Sequence, residues 1–218
     1  REAGWHKLPL PDKQNIMFAD FRRDPDQYPL KTPSGKIEIF SSTVASFAYD
    51  DCLGHPAWFA PPEWLGAAED TYPLHLLSNQ PRTKLHSQLD QGPVAAAAKI
   101  KGREEVQMHK DDAAARGIEE GDIIRLFNAR GAIYVGVRTT DQIRPGVVMV
   151  PTGAWLDLDK DDPELCKHGN PNMLAPDRPT SKLAQGPAAH SCLVQAEAVD
   201  QTYLPEVTAF IPPVIEKG

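Results

Sequence analysis

The hydrophobic positions of this chain fall into short runs separated by turn residues. Lys36, Ile37, Glu38, Ile39 and Phe40 alternate cleanly, as a half-buried strand does. From Tyr72 onward the runs predict strands at 73–78, 105–109, 123–127, 132–139, 147–151 and 191–199. Val106 and Met108 share one face of their strand, and Cys192, Val194, Ala196 and Ala198 share one face of theirs. A single short helix is predicted at 111–117, with Asp111 at its N-terminal end and Gly117 at its C-cap. Asn128-Ala129-Arg130-Gly131 has hairpin chemistry, and Arg144-Pro145-Gly146 turns the chain with Pro at i+1 and Gly at i+2. Six or seven short strands, a stub of helix and long loops predict a mainly β fold closed into a barrel, which leaves no exposed sheet edge.

The flanks read differently. Residues 1–35 carry five prolines (9, 11, 25, 29 and 33) and little periodicity, with a turn at Thr32-Pro33-Ser34-Gly35. Residues 50–72 form a Pro-rich connection that Trp58, Phe59 and Trp64 make sticky, and it is expected to be poorly anchored. Prolines return after Asp200. The expected organisation is an irregular arm and lead-in over 1–71, a barrel over 72–200 and an extended tail over 201–218.

Composition sharpens this picture. The 218 residues are 41% apolar, enough for a real core, and 21 prolines with 15 glycines favour frequent turns over a helical bundle. A net charge of −7 argues against nucleic acid and anionic membranes as partners. Residues 82–110 nevertheless hold six Lys/Arg against three acids, which suits a small anionic ligand. No run of 18 apolar residues exists, so no membrane-spanning helix is predicted. Cys52, Cys166 and Cys192 are odd in number and form no C-x-x-C pair, so reduced thiols are expected rather than a disulfide framework or a zinc site. The chain begins at Arg1 without an initiator Met, and a piece of a longer protein is expected.

Two polar clusters carry the candidate chemistry. The apolar run ending at Leu77 gives way to Ser78-Asn79-Gln80-Pro81-Arg82-Thr83-Lys84-Leu85-His86-Ser87-Gln88. Such a loop offers amide, guanidinium, ammonium, imidazole and hydroxyl donors at a strand end, where phosphates and heterocycle edges are bound. Pro81 stiffens it, and Leu85 and Leu89 are expected to tie it onto a core. A solvated surface loop is the bland alternative. The second cluster holds His168, Gly169, Asn170 and Asn172, then Gln185 and Gly186. Its amides offer paired donors and acceptors, and its glycines allow close backbone approach. Against this, Asn170-Pro171 is also ordinary turn chemistry. Trp155 either shields a cofactor or fills the barrel mouth, with the first preferred. His86, His168 and His190 show no metal-ligand spacing. No Gly-x-Ser-x-Gly, phosphate-binding P-loop or completed Cys-His arrangement is present, and Cys166 reads as a packed thiol.

These segments resemble the C-terminal molybdopterin-dinucleotide-binding domain of the dimethyl sulfoxide reductase family. The resemblance is carried by the first cluster, by Gly117-Ile118-Glu119-Glu120-Gly121-Asp122, by Asn128-Ala129-Arg130-Gly131 and Arg144-Pro145-Gly146-Val147-Val148, and by Gly153-Ala154-Trp155. Cys166-Lys167-His168-Gly169-Asn170-Pro171-Asn172 and Thr180-Ser181-Lys182-Leu183-Ala184-Gln185-Gly186-Pro187 continue it in order. It is closest to the branch that reduces biotin sulfoxide, trimethylamine N-oxide and dimethyl sulfoxide.

The resemblance implies a double-psi β-barrel of the aspartate-decarboxylase-like kind, with short helices and irregular N- and C-terminal arms. It implies that Ser78, Asn79, Gln80, Arg82, His86, Ser87 and Gln88 form one cofactor loop, with His168, Asn170, Asn172, Gln185 and Gly186 forming the other. Arg82 would pair with a phosphate, and the two loops would share one mouth of the barrel. The cofactor implied for the intact enzyme is bis(molybdopterin guanine dinucleotide) molybdenum, absent from the isolated chain. The implied partners are the N-terminal catalytic domains and a small S- or N-oxide, in the cytoplasm or the periplasm with the cytoplasm preferred. In this branch a serine of an earlier domain ligates molybdenum and nothing here corresponds to it, so no catalytic or metal-ligating residue is expected in this chain. A barrel used purely for protein interaction is the alternative from another class. A pyruvoyl decarboxylase is excluded, because the Gly-Ser self-cleavage site is missing.

Overall fold

A core of β-branched and aliphatic side chains explains why the chain closes on itself. In the computed structural model, which describes Gly4, Leu8, Pro9 and residues 15–211, seven strands run β1 Leu74–Leu77, β2 Glu105–His109, β3 Ile123–Asn128, β4 Gly131–Thr140, β5 Val147–Met149, β6 Leu165–Cys166 and β7 Leu193–Ala198. The hydrogen-bonded order β2-β5-β1-β7-β3-β4 is closed by pairing of β4 with β2, so six strands form the barrel. β6 adds to β4 outside the ring. β1–β5 and β2–β4 are parallel and the other four barrel pairs antiparallel. Leu76, Val106, Met108, Ile124, Leu126, Ile133, Val135, Val137, Val148 and Val194 fill the interior, all at 2% exposure or less. The mainly β, double-psi barrel expectation holds.

Among the described residues, four short α-helices accompany the strands: α1 Ala19–Arg23, α2 Ser42–Ala45, α3 Pro93–Ala98 and α4 Lys110–Ala114. The helix expected at 111–117 is α4, but its N-cap is His109, whose Nδ1 accepts the Asp111 N–H at 3.2 Å. α3 was not predicted, because a run of alanines after Pro93 has no amphipathic period.

Among the described residues the chain divides after Trp58 into two compact units. The first holds α1, α2 and the expected turn closed by Gly35 N–H to Thr32 O (3.0 Å). The strand expected at 36–40 is not formed. Ile37 and Ile39 are 72% and 74% exposed, since alternation makes a strand only where another edge receives it.

The second unit contains the barrel and begins before the expected boundary at residue 72. Glu63 is the reason. Its carboxylate takes both Arg130 nitrogens at 2.7 and 2.8 Å and the Leu193 N–H at 2.9 Å. Its own N–H and C=O bond Ser191 Oγ. The part of 50–72 from Glu63 onward is thus anchored, contrary to expectation, whereas Trp58 is 73% exposed. The tail is irregular but also tied down. Gln201 bonds the Ile123 N–H and C=O, Arg103 donates to Pro205 O, and Thr208 bonds Asp157 and Lys167. Of the expected arm and tail, residues 1–14 apart from Gly4, Leu8 and Pro9, and residues 212–218, lie outside the described residues. No described helix is long and apolar enough to cross a membrane.

Candidate functional site

Parallel pairing of β1 with β5 sends two loops out of the same end of the barrel. The pairing continues past the strands, with Val150 N–H to Leu77 O at 3.0 Å and Thr152 N–H to Asn79 O at 2.9 Å. Loop 78–92 and loop 150–157 therefore leave side by side, at the carboxyl ends of parallel strands where ligands are commonly bound. Gly153 lets them meet. Its φ is +97°, and a Cβ placed there would stand 1.8 Å from the His86 carbonyl oxygen. Trp155 locks the pair, its indole N–H donating to Ser87 O at 2.8 Å.

The third wall follows β6. His168 O accepts the Glu104 N–H at 3.1 Å, and Gly169, with φ +92°, has room for no Cβ beside Glu104. Asn170 caps the 3₁₀ turn Pro171–Met173 by accepting the Asn172 N–H at 3.0 Å. The three segments enclose a depression of about 570 Å³, and His86, Ser87, Gly153, Trp155, Asn170 and Asn172 are among its lining. This brings five of the thirteen candidate residues into one place.

The other candidates are distributed around it. Ser78 and Gln80 face a cavity of about 170 Å³ that shares Thr152 and Asn172 with the main depression. Asn79 and Arg82 point to the other side of the same segment, into a cavity of about 160 Å³ with Glu105 and Gln107. Gln88 is exposed. His168 is fully buried behind Trp155, with Nδ1 on Trp155 O at 2.9 Å and its ring edge-on to Phe210 at 5.0 Å. Burial, then the nearby Lys99 charge, pushes the imidazole below its ordinary value and keeps it neutral. Gln185 folds back on Ser181 O and Lys182 O within an exposed turn. Gly186 has φ outside the left-handed region and its nearest neighbour for a Cβ is Thr180 Oγ1 at 3.9 Å, so no close approach requires it. Neither Arg82 nor Gln185 shares the cavity of Asn170.

Two expectations fail for a common physical reason. Leu85 and Leu89 do not tie the loop to a core; they are 61% and 70% exposed. Nor is the basic patch available to an anion. Lys84 and Lys99 each pair with both Asp90 and Glu104 in a buried cluster. Arg103 donates to Lys101 O and Pro205 O, Lys101 to Gln201, and Lys110 pairs with Asp141. The loop is held by buried charge: Lys84, Lys99 and Arg103 are buried, and Lys101 and Lys110 are bonded at the surface. Arg82 is exposed and, among the described residues, makes neither an ion pair nor a side-chain hydrogen bond. Sequence reasoning missed Lys84, Asp90, Lys99 and Glu104, because ion pairs between distant positions leave no period.

Cys166 is buried as a packed thiol, and Cys192 donates to Leu174 O at 3.2 Å while burial pushes its thiol up to about 11. No metal-holding group of His, Cys, Asp and Glu occurs among the described residues.

Known proteins share this fold and much of this sequence. Residues 74–193 match the family model described as "Molydopterin dinucleotide binding domain". The chain is 48% identical over 204 residues to trimethylamine-N-oxide reductase 1 of Escherichia coli O157:H7, covering 91% of this chain and 24% of that protein. It is 46% identical over 187 residues to biotin sulfoxide reductase of Cereibacter sphaeroides, covering 85% and 25%. With the dimethyl sulfoxide/trimethylamine N-oxide reductase of the same organism it shares 42% over 194 residues, covering 88% and 24%. The chain thus spans about a quarter of the length of these relatives. Among solved structures, acetylene hydratase from Pelobacter acetylenicus shares the fold at a TM-score of 0.64 and 19% identity, covering 81% of this chain and 25% of that one. The chain belongs to the molybdopterin dinucleotide-binding domains of the dimethyl sulfoxide reductase family.

Proposed function

We propose that the depression bounded by His86, Ser87, Trp155, Asn170 and Asn172 receives the pterin of a molybdopterin guanine dinucleotide, as part of an S- or N-oxide reductase. The convergence of loops 78–92, 150–157 and 168–174 at one barrel end is the observation that carries this reading. The donor set suits the group. Asn79 Oδ1 is a buried acceptor without a partner among the described residues, and in the cavity it shares with Arg82 it can accept from a ligand or its water. Arg82 is an uncommitted guanidinium near Asn79, suited to a pyrophosphate.

When bound as the bis(dinucleotide) molybdenum form, the cofactor supplies two-electron oxygen-atom transfer. This chain's residues bind and orient it. Asn170, Asn172, Ser87 and His86 offer hydrogen bonds to the pterin edge, and Trp155 covers the opening and excludes water. The partners are the remaining domains of the longer enzyme and a small S- or N-oxide. Ser78, Gln80, Gln88, Gln185 and Gly186 are proposed to meet the dinucleotide only along its periphery.

Titration of ¹⁵N-labelled chain with guanosine diphosphate and with oxidised, fluorescent pterin guanine dinucleotide tests this. Weak binding is expected, since part of the contact surface is supplied elsewhere. Shifts should centre on His86, Trp155 and Asn170 for the pterin and on Arg82 for the diphosphate. Shifts centred on α4 and the 117–122 turn, at the opposite end of the barrel, or no response to either compound, would refute it.

A further inference from the structure

The five residues 85–89 are all exposed, yet they hold His86 and Ser87 in place with left-handed backbones at His86 (φ 51°) and Leu89 (φ 63°). No apolar contact accounts for that. The residues on either side do. Lys84 and Asp90 are buried and joined by an ion pair of 2.7 Å, with side chains 1% and 0% exposed. Lys84 also pairs with Glu104. Lys99 lies 2.9 Å from Asp90 and 3.1 Å from Glu104. Two cations thus face two anions with no net charge. Burial opposes the charged Asp90 carboxylate, but hydrogen bonds from Lys84 and Lys99 outweigh it and hold the group ionised, below its ordinary value.

The Asp90 carboxylate has two oxygens with different duties. Oδ1 faces Lys84 and Lys99, at the base of loop 78–92. Oδ2 accepts the backbone N–H of Trp155 at 3.0 Å, in the opposite wall. The same oxygen stands 3.9 Å from His168 Nδ1, which is bonded to Trp155 O. One buried carboxylate therefore touches all three segments that enclose the depression.

We propose that Asp90 is a positioning residue that fixes the spacing between the His86–Ser87 wall and the Trp155 wall. Its role toward the ligand rests on the function proposed above; its role in setting the walls does not. Buried ion pairs add little net stability over apolar replacements, so the cluster's value lies in geometry. Removing the Asp90 charge alone leaves two buried ammonium groups against Glu104. Removing Lys99 as well restores one cation to one anion. The double variant therefore separates charge imbalance from loss of the tether.

Three proteins decide the matter: wild type, Asp90→Leu, which removes both the charge and the acceptor for the Trp155 N–H, and Asp90→Leu/Lys99→Met. The readouts are thermal midpoint, the Trp155 indole ¹H–¹⁵N resonance assigned with Trp155→Phe, and fluorescence anisotropy with oxidised pterin guanine dinucleotide. Asp90→Leu should lose several degrees, and the double variant should recover most of them. In the double variant the indole resonance should still move and the dinucleotide should bind roughly tenfold more weakly, as expected for a wall displaced by a fraction of an ångström. An unmoved resonance with unchanged affinity would overturn the proposal. A moved resonance in a chain whose wild type ignores the dinucleotide would uphold the positioning role and refute the ligand. Hydrogen exchange on wild type needs no variant: the Trp155 amide should be protected like Val148, and fast exchange would also overturn the proposal.

Discussion

The backbone of Gly153 runs so close to His86 that a methyl group on its Cα would stand 1.8 Å from the His86 carbonyl oxygen. Its φ of +97° is also one that side-chain-bearing residues rarely adopt. Gly153→Ala must therefore push loops 78–92 and 150–157 apart and strain the backbone. The expected loss is at least about 2 kcal/mol, a fall in thermal midpoint of roughly 4–8 °C for a unit of this size. The Trp155 to Ser87 bond should break as well, so the Trp155 indole N–H should exchange faster. Gly186→Ala, with open space around it, is the control and should leave the midpoint unchanged.

Arg82 makes no ion pair among the described residues, and nothing in the fold depends on it. Arg82→Gln should leave the thermal midpoint within about 1–2 °C of wild type. Affinity for pyrophosphate-bearing dinucleotide, by contrast, should drop by roughly 1.5–3 kcal/mol, the worth of a charge-assisted hydrogen bond. Calorimetry on the two proteins at matched ionic strength checks both halves. A large stability loss would mean that Arg82 is structural.

The barrel was legible because its strands repeat a local signal. Val106 and Met108, or Val194 and Ala196, declare an inward face by alternation alone, and Arg144-Pro145-Gly146 declares a turn by backbone restriction. The same signal misled at Ile37 and Ile39, where the pattern exists and no partner strand is there to receive it. At the site, polarity located the loops, but not which side chains face one cavity. Ser78 and Asn79 are neighbours that point into different cavities, and Gln185 satisfies its own turn. Lys84 and Lys99 read in sequence as part of a basic stretch for an anion, with Asp90 and Glu104 counted only against it, since only folding brings the four together.

Glu63 accounts for the early start of the second unit, through its bidentate contact with Arg130 and the Leu193 N–H. Its burial opposes ionisation, but the Arg130 hydrogen bonds and the Leu193 N–H hold the carboxyl below its ordinary value. Glu63→Ala leaves Arg130 without its carboxylate and the Leu193 N–H unpaired, at a cost of about 2–3 kcal/mol. Limited proteolysis should then cut between residues 59 and 72 in the variant and not in wild type, while the barrel strands stay protected. Cleavage at equal rates in both proteins would show that other contacts hold the segment.

Acid should weaken the fold in two stages. His168 is held neutral below its ordinary 6.5, so under mildly acidic conditions the unfolded chain takes up a proton that the folded chain refuses. Stability is therefore intact above about pH 6.5 and declines as pH falls from there toward the folded value. Asp90, Asp157 and Glu63 lie below their ordinary carboxylate values, so their contribution is present at neutral pH. It is lost below about pH 4, as protonation breaks their ion pairs and hydrogen bonds. At the other extreme burial opposes the Lys84 ammonium, but Asp90 and Glu104 raise it above its ordinary 10.5. That stabilisation persists below this pH and disappears as alkali strips the proton. Urea midpoints measured from pH 3 to 11 should thus form a plateau from about pH 7 to 10, with a shallow acid shoulder before the steep fall. His168→Asn should flatten the shoulder and leave the steep limb in place. A midpoint that rises between pH 7 and 5 would show that His168 is stabilised in its charged form, against the geometry of its burial behind Trp155.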